Sequence, residues 1–158
     1  MSNTEIQLTR HVAATPAKVW AVLTDLDAAA TTLTGVISTE RVAGEGYAVG
    51  TRWRETRKML GKEATEEMWV AEVDPERRTV VKANSRGADY TTSFALAPSG
   101  DGTDLSMTFN ADPGKSTFLA KLLMKSFGGL GAKATAKMMT QDLRDIAAAA
   151  EAAAAEAA

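Results

Sequence analysis

The feature that most constrains this chain is a change of hydrophobic period after Asp112-Pro113-Gly114. Upstream, apolar and polar residues alternate in consecutive short stretches, the period of strands with one buried face. From Lys115 the period becomes 3.6 and the pattern is helical. The clearest alternation sets Thr51, Trp53, Glu55, Arg57 and Met59 against Arg52, Arg54, Thr56 and Lys58, and the second, polar set must face water. Leu60-Gly61-Lys62 reads as a hairpin into a return strand over 64–73, which ends at the turn sequence Asp74-Pro75-Glu76-Arg77. Either face of that return strand qualifies as inward: Glu66, Met68 and Val70, or Glu67, Trp69, Ala71 and Val73. Thr79, Val81, Ala83 and Ser85 alternate next. Tyr90, Thr92, Phe94 and Leu96 form a further inward set, and Leu105, Met107 and Phe109 form the last.

Before these stretches, Ile6, Leu8 and Val12 mark an opening strand, and Val36 to Val42 a weaker one. Thr15-Pro16 supplies a helix N-cap followed by proline at the first helical position. Val19, Trp20, Val22 and Leu23 then run at helical spacing to about Thr24, and 25–32 suits a second short helix. Strand, one or two short helices, about six consecutive strands and one long helix exclude an alternating parallel α/β sheet. The expected class is α+β: a curved antiparallel sheet of about seven strands on a long C-terminal helix.

At 158 residues the chain fits one domain. Residues 1–146 carry the patterned sequence. From Ala147 only Ala and Glu follow, a strong helix former with nothing large to bury, so 147–158 is expected to be a helical or frayed, solvated tail. A net charge of −2 gives no electrostatic reason to expect nucleic acid. The absence of Cys excludes disulfides, thiolate nucleophiles and Cys-ligated metals. No stretch approaches the ~18 apolar residues of a membrane span. Met1-Ser2-Asn3-Thr4-Glu5 shows no basic region ahead of an apolar run, and a cytoplasmic location is expected.

The element order resembles the START-like helix-grip superfamily, particularly the bacterial polyketide cyclase/dehydrase and lipid-transport type known as SRPBCC. The likeness runs from about Glu5 to Ile146. Three segments carry it: Val12-Ala13-Ala14-Thr15-Pro16-Ala17-Lys18-Val19-Trp20, Val49-Gly50-Thr51-Arg52, and Val70 through Asp74-Pro75-Glu76-Arg77-Arg78. Gly102-Thr103 and the late helix complete the set. All are folding landmarks; none is a catalytic signature. The resemblance implies a cavity between the concave face of the sheet and the last helix. It implies carriage of lipids, sterols, hormones or polyketides, or the cyclisation and dehydration of polyketides.

Within such a cavity the most informative cluster is Trp53, Glu55, Arg57 and Met59. Glu55 and Arg57 are next-but-one neighbours, roughly 6–7 Å apart by strand rise. One reading makes them the orienting groups for a polar ligand end, or makes Glu55 an acid–base group with a raised pKa. The other pairs them with each other, or with Glu66 or Glu67 at the open end of the sheet. Tyr90 is a candidate hydrogen-bond donor into the pocket and equally a core aromatic with its hydroxyl at the rim. Phe94, Met107 and Phe109 are candidate walls. From the helical region Leu119, Leu122, Leu123, Phe127 and Met138 are candidates to close it. Seven methionines suit either an adaptable binding surface or ordinary filling of gaps.

His11, the only histidine, shares parity with Glu5, Gln7 and Thr9 and is expected to face solvent, which argues against a histidine base or triad. With one His and no Cys, neither a metal nor another cofactor is expected. Phe118 to Phe127, with Lys115, Lys121 and Lys125, is a basic amphipathic stretch. It suits either transient membrane contact or closure of the pocket with its lysines in water. The glycines at 128, 129 and 131 are expected to mark a break that makes this segment a mobile gate. A monomer or weak homodimer is expected.

Three functions follow. The first is binding or carriage of a hydrophobic small molecule, lipid-like or polyketide-like, and the scarcity of catalytic groups favours it. The second is a cyclase/dehydratase-type enzyme using Glu55, Arg57 or Tyr90. The third is a protein-interaction module like the chaperone-activator relatives.

Overall fold

Alternating stretches joined by tight turns place each strand beside its neighbour in sequence, and the chain folds accordingly. A computed structural model describes residues 4–59, 61–85, 88–112 and 130–156. The elements are β1 (Thr4–Val12), α1 (Pro16–Leu23), α2 (Ala29–Thr32), β2 (Val36–Ala43), β3 (Arg52–Met59), β4 (Lys62–Asp74), β5 (Arg78–Ser85), β6 (Ala88–Ser99), β7 (Gly102–Asp112) and α3 (Leu130–Glu156). The seven strands form one antiparallel sheet in the order β1-β7-β6-β5-β4-β3-β2. The sheet is curved, and α3 lies against β1, β7, α1 and α2. This is the expected α+β helix-grip class, with both short helices present.

The landmark residues have local physical reasons. Thr15 caps α1, its Oγ1 accepting from the Lys18 amide at 3.4 Å, with Pro16 at the start of the helix. At Gly102 any Cβ would lie 2.3 Å from the Val12 carbonyl oxygen, so only glycine lets β7 start this close to the end of β1. Thr103 then donates from Oγ1 to the Ala14 carbonyl at 2.7 Å and is fully buried. Gly50 takes a φ of 92°, and Thr51 Oγ1 accepts from the Ala48 amide at 3.1 Å, which fixes the entry to β3.

The ambiguous facing of β4 is resolved by a bulge. The β4–β5 register runs Val70↔Val81 and then Glu72↔Val80, with a shift between them. One extra residue reverses parity. Met68 and Val70 therefore point inward before the bulge and Val73 after it, all into one cluster with Trp53, Val81 and Leu26. Trp69 points to the outer face, where the Arg52 guanidinium lies 4.8 Å from its ring centre.

A second, larger cluster sits beneath α3. Val12, Val19, Leu96, Leu105 and Met107 meet Met139, Leu143 and Ile146. Of the helical or frayed tail expected from 147 onward the helical form is present, but it is packed on the core rather than solvated. The helix continues to Glu156, Ala147 and Ala150 are at most 1% exposed, and Ala154 packs on the same cluster. At 3.6 residues per turn these alanines extend the stripe of Met139, Leu143 and Ile146, and their small side chains let α3 come close to β1 and α1. The contact is also polar: Lys18 Nζ donates to the Ala153 carbonyl at 3.3 Å, and the Ala13 amide donates to Glu151 at 3.2 Å.

Candidate functional site

The strand registers arrange the concave face in rows. Trp53, Met68, Ala83, Tyr90 and Ala111 lie side by side across β3 to β7. The next row holds Val70, Val81, Thr92 and Phe109, and the row beyond it Thr79, Phe94 and Met107. Not every member is equally enclosed. Trp53 and Met107 are buried within the two clusters; Met68, Phe94 and Phe109 pack against those clusters from their edges and, like Tyr90 and Thr92, are only half-buried although they point inward. Tyr90 stacks on Phe109 with ring centres 5.8 Å apart. From α3, Met138 is half-buried beside the fully buried Met139. The side chain of Met59, and the whole of Leu119, Leu122, Leu123 and Phe127 with the expected gate from Phe118 to Phe127, lie outside the described residues.

One inward row nearer the β3–β4 hairpin, Glu55 faces Glu66 across the strand pair. Here the sequence brings two residues together and the fold adds a third. Arg57 Nε donates to Glu55 Oε1 at 2.5 Å, while its Nη1 and Nη2 donate to Asp142 Oδ1 and Oδ2 at 3.1 and 2.9 Å. Trp53 Nε1 donates to the other Glu55 oxygen at 3.3 Å. Asp142, on α3, was not singled out from the sequence. The available signal was a carboxylate three residues after Met139 and four before Ile146, inside an otherwise apolar helical stripe. Glu67, an alternative partner on sequence grounds, instead meets Arg52 at 3.1 Å on the outer face.

Burial governs the electrostatics. The Asp142 carboxyl is pushed up from the ordinary aspartate value by desolvation, against the opposing pull of Arg57. Burial alone would lower the proton affinity of Arg57, but the charges of Asp142 and Glu55 outweigh it and hold the guanidinium protonated. The Arg57 side chain is 18% exposed and those of Glu55 and Asp142 are 9% and 4%, so the guanidinium is the part of the triad that solvent or a ligand reaches.

Two other groups have settled roles. His11 is exposed, as its parity indicates, and bonds Asp104 at 2.8 Å. It borders an open groove with Ser99 to Gly102, at the opposite end of the sheet from Arg57. The Tyr47 hydroxyl meets Thr79 Oγ1 at 2.8 Å, and that oxygen donates on to the Glu72 carbonyl, so Tyr47 supplies the proton of the first bond. Burial raises the Tyr47 pKa and keeps the phenol neutral.

A long helix gripped by a curved antiparallel sheet defines the helix-grip class. The chain belongs to the polyketide cyclase / dehydrase and lipid transport family, whose model matches residues 3–151. Its fold is similar to that of TTHA0849 from Thermus thermophilus, at 25% identity and a TM-score of 0.76, covering 95% of this chain and 99% of that one. It is also similar to the Zhui aromatase/cyclase from Streptomyces sp. R1128, at 18% identity and a TM-score of 0.73, covering 95% and 94%. Ara h 8.0201 shares the fold at 15% identity and a TM-score of 0.63, covering 96% and 97%. No curated protein matches the sequence. Among the described residues, no helix is long and apolar enough to cross a membrane.

Proposed function

We propose that this chain binds an apolar small molecule, lipid-like or polyketide-like, between the concave face of the sheet and α3. The observation that carries the reading is the set of inward-pointing but half-buried side chains: Met68, Tyr90, Thr92, Phe94 and Phe109. A packed core would enclose such residues as fully as it encloses Leu105 or Met139. Burial of ligand apolar area, worth roughly 25 cal/mol per Å² before the costs of association, supplies the affinity. Family membership supports the same reading. Native mass spectrometry of the protein as purified tests it. A co-purified apolar molecule that Nile red displaces supports binding; a bare protein that also fails to take up Nile red rejects it.

A second reading, cyclase or dehydratase chemistry, is supported by Asp142. Burial there favours a protonated carboxyl next to a guanidinium, a pairing able to donate a proton and polarise a carbonyl. The aromatase/cyclase named above shares this fold. A synthetic poly-β-carbonyl thioester incubated with the protein, with loss of water followed by mass, tests it. Turnover that survives both Asp142→Asn and Glu55→Gln rejects this assignment.

A further inference from the structure

The two sides of α3 are held in different ways. Met139, Leu143, Ile146 and Ala150 form an apolar stripe buried against β1, β7 and α1. Asp142 and Asp145, three residues apart and so on one face, lie on the side toward β2 and β3. There the helix is held by polar bonds. Arg57 Nη1 and Nη2 donate to Asp142 at 3.1 and 2.9 Å, and the Thr34 amide donates to Asp145 Oδ2 at 2.8 Å. Arg57 pairs with Val36, the first residue of the edge strand β2. The helix is therefore anchored toward both edges of the sheet, by apolar packing at β1 and by polar bonds at β2 and β3. Met68, Tyr90, Thr92, Phe94 and Phe109, inward-pointing and half-buried, lie on the strands between the two anchorages.

The anchorages differ in how readily they open. Lifting the apolar stripe exposes buried area to water, with nothing to offset the loss. A polar bond that opens is exchanged for bonds to water, so its net loss is small. Water reaches this one, because the Arg57 side chain is 18% exposed. Release at Asp142 and Asp145 leaves α3 attached along β1 and α1, free to swing on that side. We infer that the Arg57–Asp142 bond, backed by Thr34–Asp145, is a latch that holds α3 over the concave face, and that its opening sets the rate at which the apolar molecule enters and leaves. The inference rests on the binding reading above. In this role the bond is made in free and loaded protein alike, so it governs exchange rates rather than affinity.

Stopped-flow fluorescence with Nile red at pH 7.5, for both association and dissociation, tests the inference. Asp142→Asn leaves one acceptor oxygen where Arg57 now has two. Asp145→Ala, at a half-buried position, removes the second tie and keeps the test decisive if the first variant fails to fold. Each is expected to raise both rates at least about three-fold while Kd stays within about two-fold. Thr103→Val is the control. It loses a buried bond, to the Ala14 carbonyl, at the opposite end of the sheet, and it should leave both rates unchanged. Unchanged rates in both latch variants overturn the inference and leave the pocket intact. An equal rise in Thr103→Val overturns it too, because general loosening then explains the effect. A weaker Kd with unchanged association assigns these residues to ligand contact and also overturns it. If Nile red does not bind the unaltered protein, the binding reading fails first and this inference falls with it.

Discussion

Arg57 on β3 and Asp142 on α3 meet end-on through two hydrogen bonds of 3.1 and 2.9 Å across 85 positions of sequence. The bond ties the long helix to strands on the far side of the sheet from β1, which α3 also contacts. Removing Arg57 leaves two buried carboxylates facing each other without a counter-charge. Arg57→Ala is expected to cost about 3–5 kcal/mol of stability. Asp142→Asn, which leaves the Arg57–Glu55 pair in place, should cost less, about 1–3 kcal/mol. Urea unfolding of the single and double variants, analysed as a cycle, measures the coupling.

The same carboxyl sets a pH dependence. Its proton affinity is higher in the folded protein than in the unfolded chain, because burial outweighs the pull of Arg57. The folded state then holds the proton over a range where the unfolded state has lost it. The contribution is present in full below the ordinary aspartate value of 3.8 and is lost as pH rises from there through the folded value. Urea unfolding of the wild type and Asp142→Asn between pH 3 and pH 7 should show a falling component in the wild type that the variant lacks. Parallel curves would contradict the shift.

Thr92 sits in the middle of the concave face, half-buried between Val81 and Phe109. If the space before it holds ligand, Thr92→Phe fills that space. The variant should then lose Nile red binding while keeping its stability within about 1 kcal/mol. In a closed core the same change would be overpacking and would cost about 1–3 kcal/mol. Binding and melting measured on one sample distinguish the two.

The alanine-rich end of α3 makes a prediction of its own. Ending the chain after Ile146 removes Ala147 and Ala150 from the core, Ala154 from its edge, and the bonds at Glu151 and Ala153. At about 0.8 kcal/mol per buried methyl-sized group, the loss should reach about 2 kcal/mol. A thermal scan showing no change in Tm would mean that the segment contributes nothing.

Much of the fold was legible in sequence because period two and period 3.6 are written by side-chain polarity alone. Thr51 to Met59 and Leu105 to Phe109 show this directly, and Thr15-Pro16 marked the start of α1 through the chemistry of an orphaned amide. The facing of β4 was not legible, because the bulge after Val70 depends on the partner strand and leaves no local signature. The burial of Ala147 and Ala150 was not legible either, because alanine surrounds them on every face of the helix and no polarity contrast reveals which side is inward. Glu55 and Arg57 were found by parity. Asp142 required knowledge of which helix face meets β3, a tertiary fact, although its place in an apolar stripe was a usable hint.

The pairing of β1 with β7, from Thr4↔Ala111 to Val12↔Thr103, has a consequence for synthesis. β1 leaves the ribosome well before the strand it pairs with, and Met139, Leu143 and Ile146, which cover both, follow later still. In a nascent chain the apolar side of these strands therefore stays uncovered until α3 has been made. Contacts this distant in sequence slow folding and prolong exposure to aggregation. A molecule able to occupy that face early would act as a folding template.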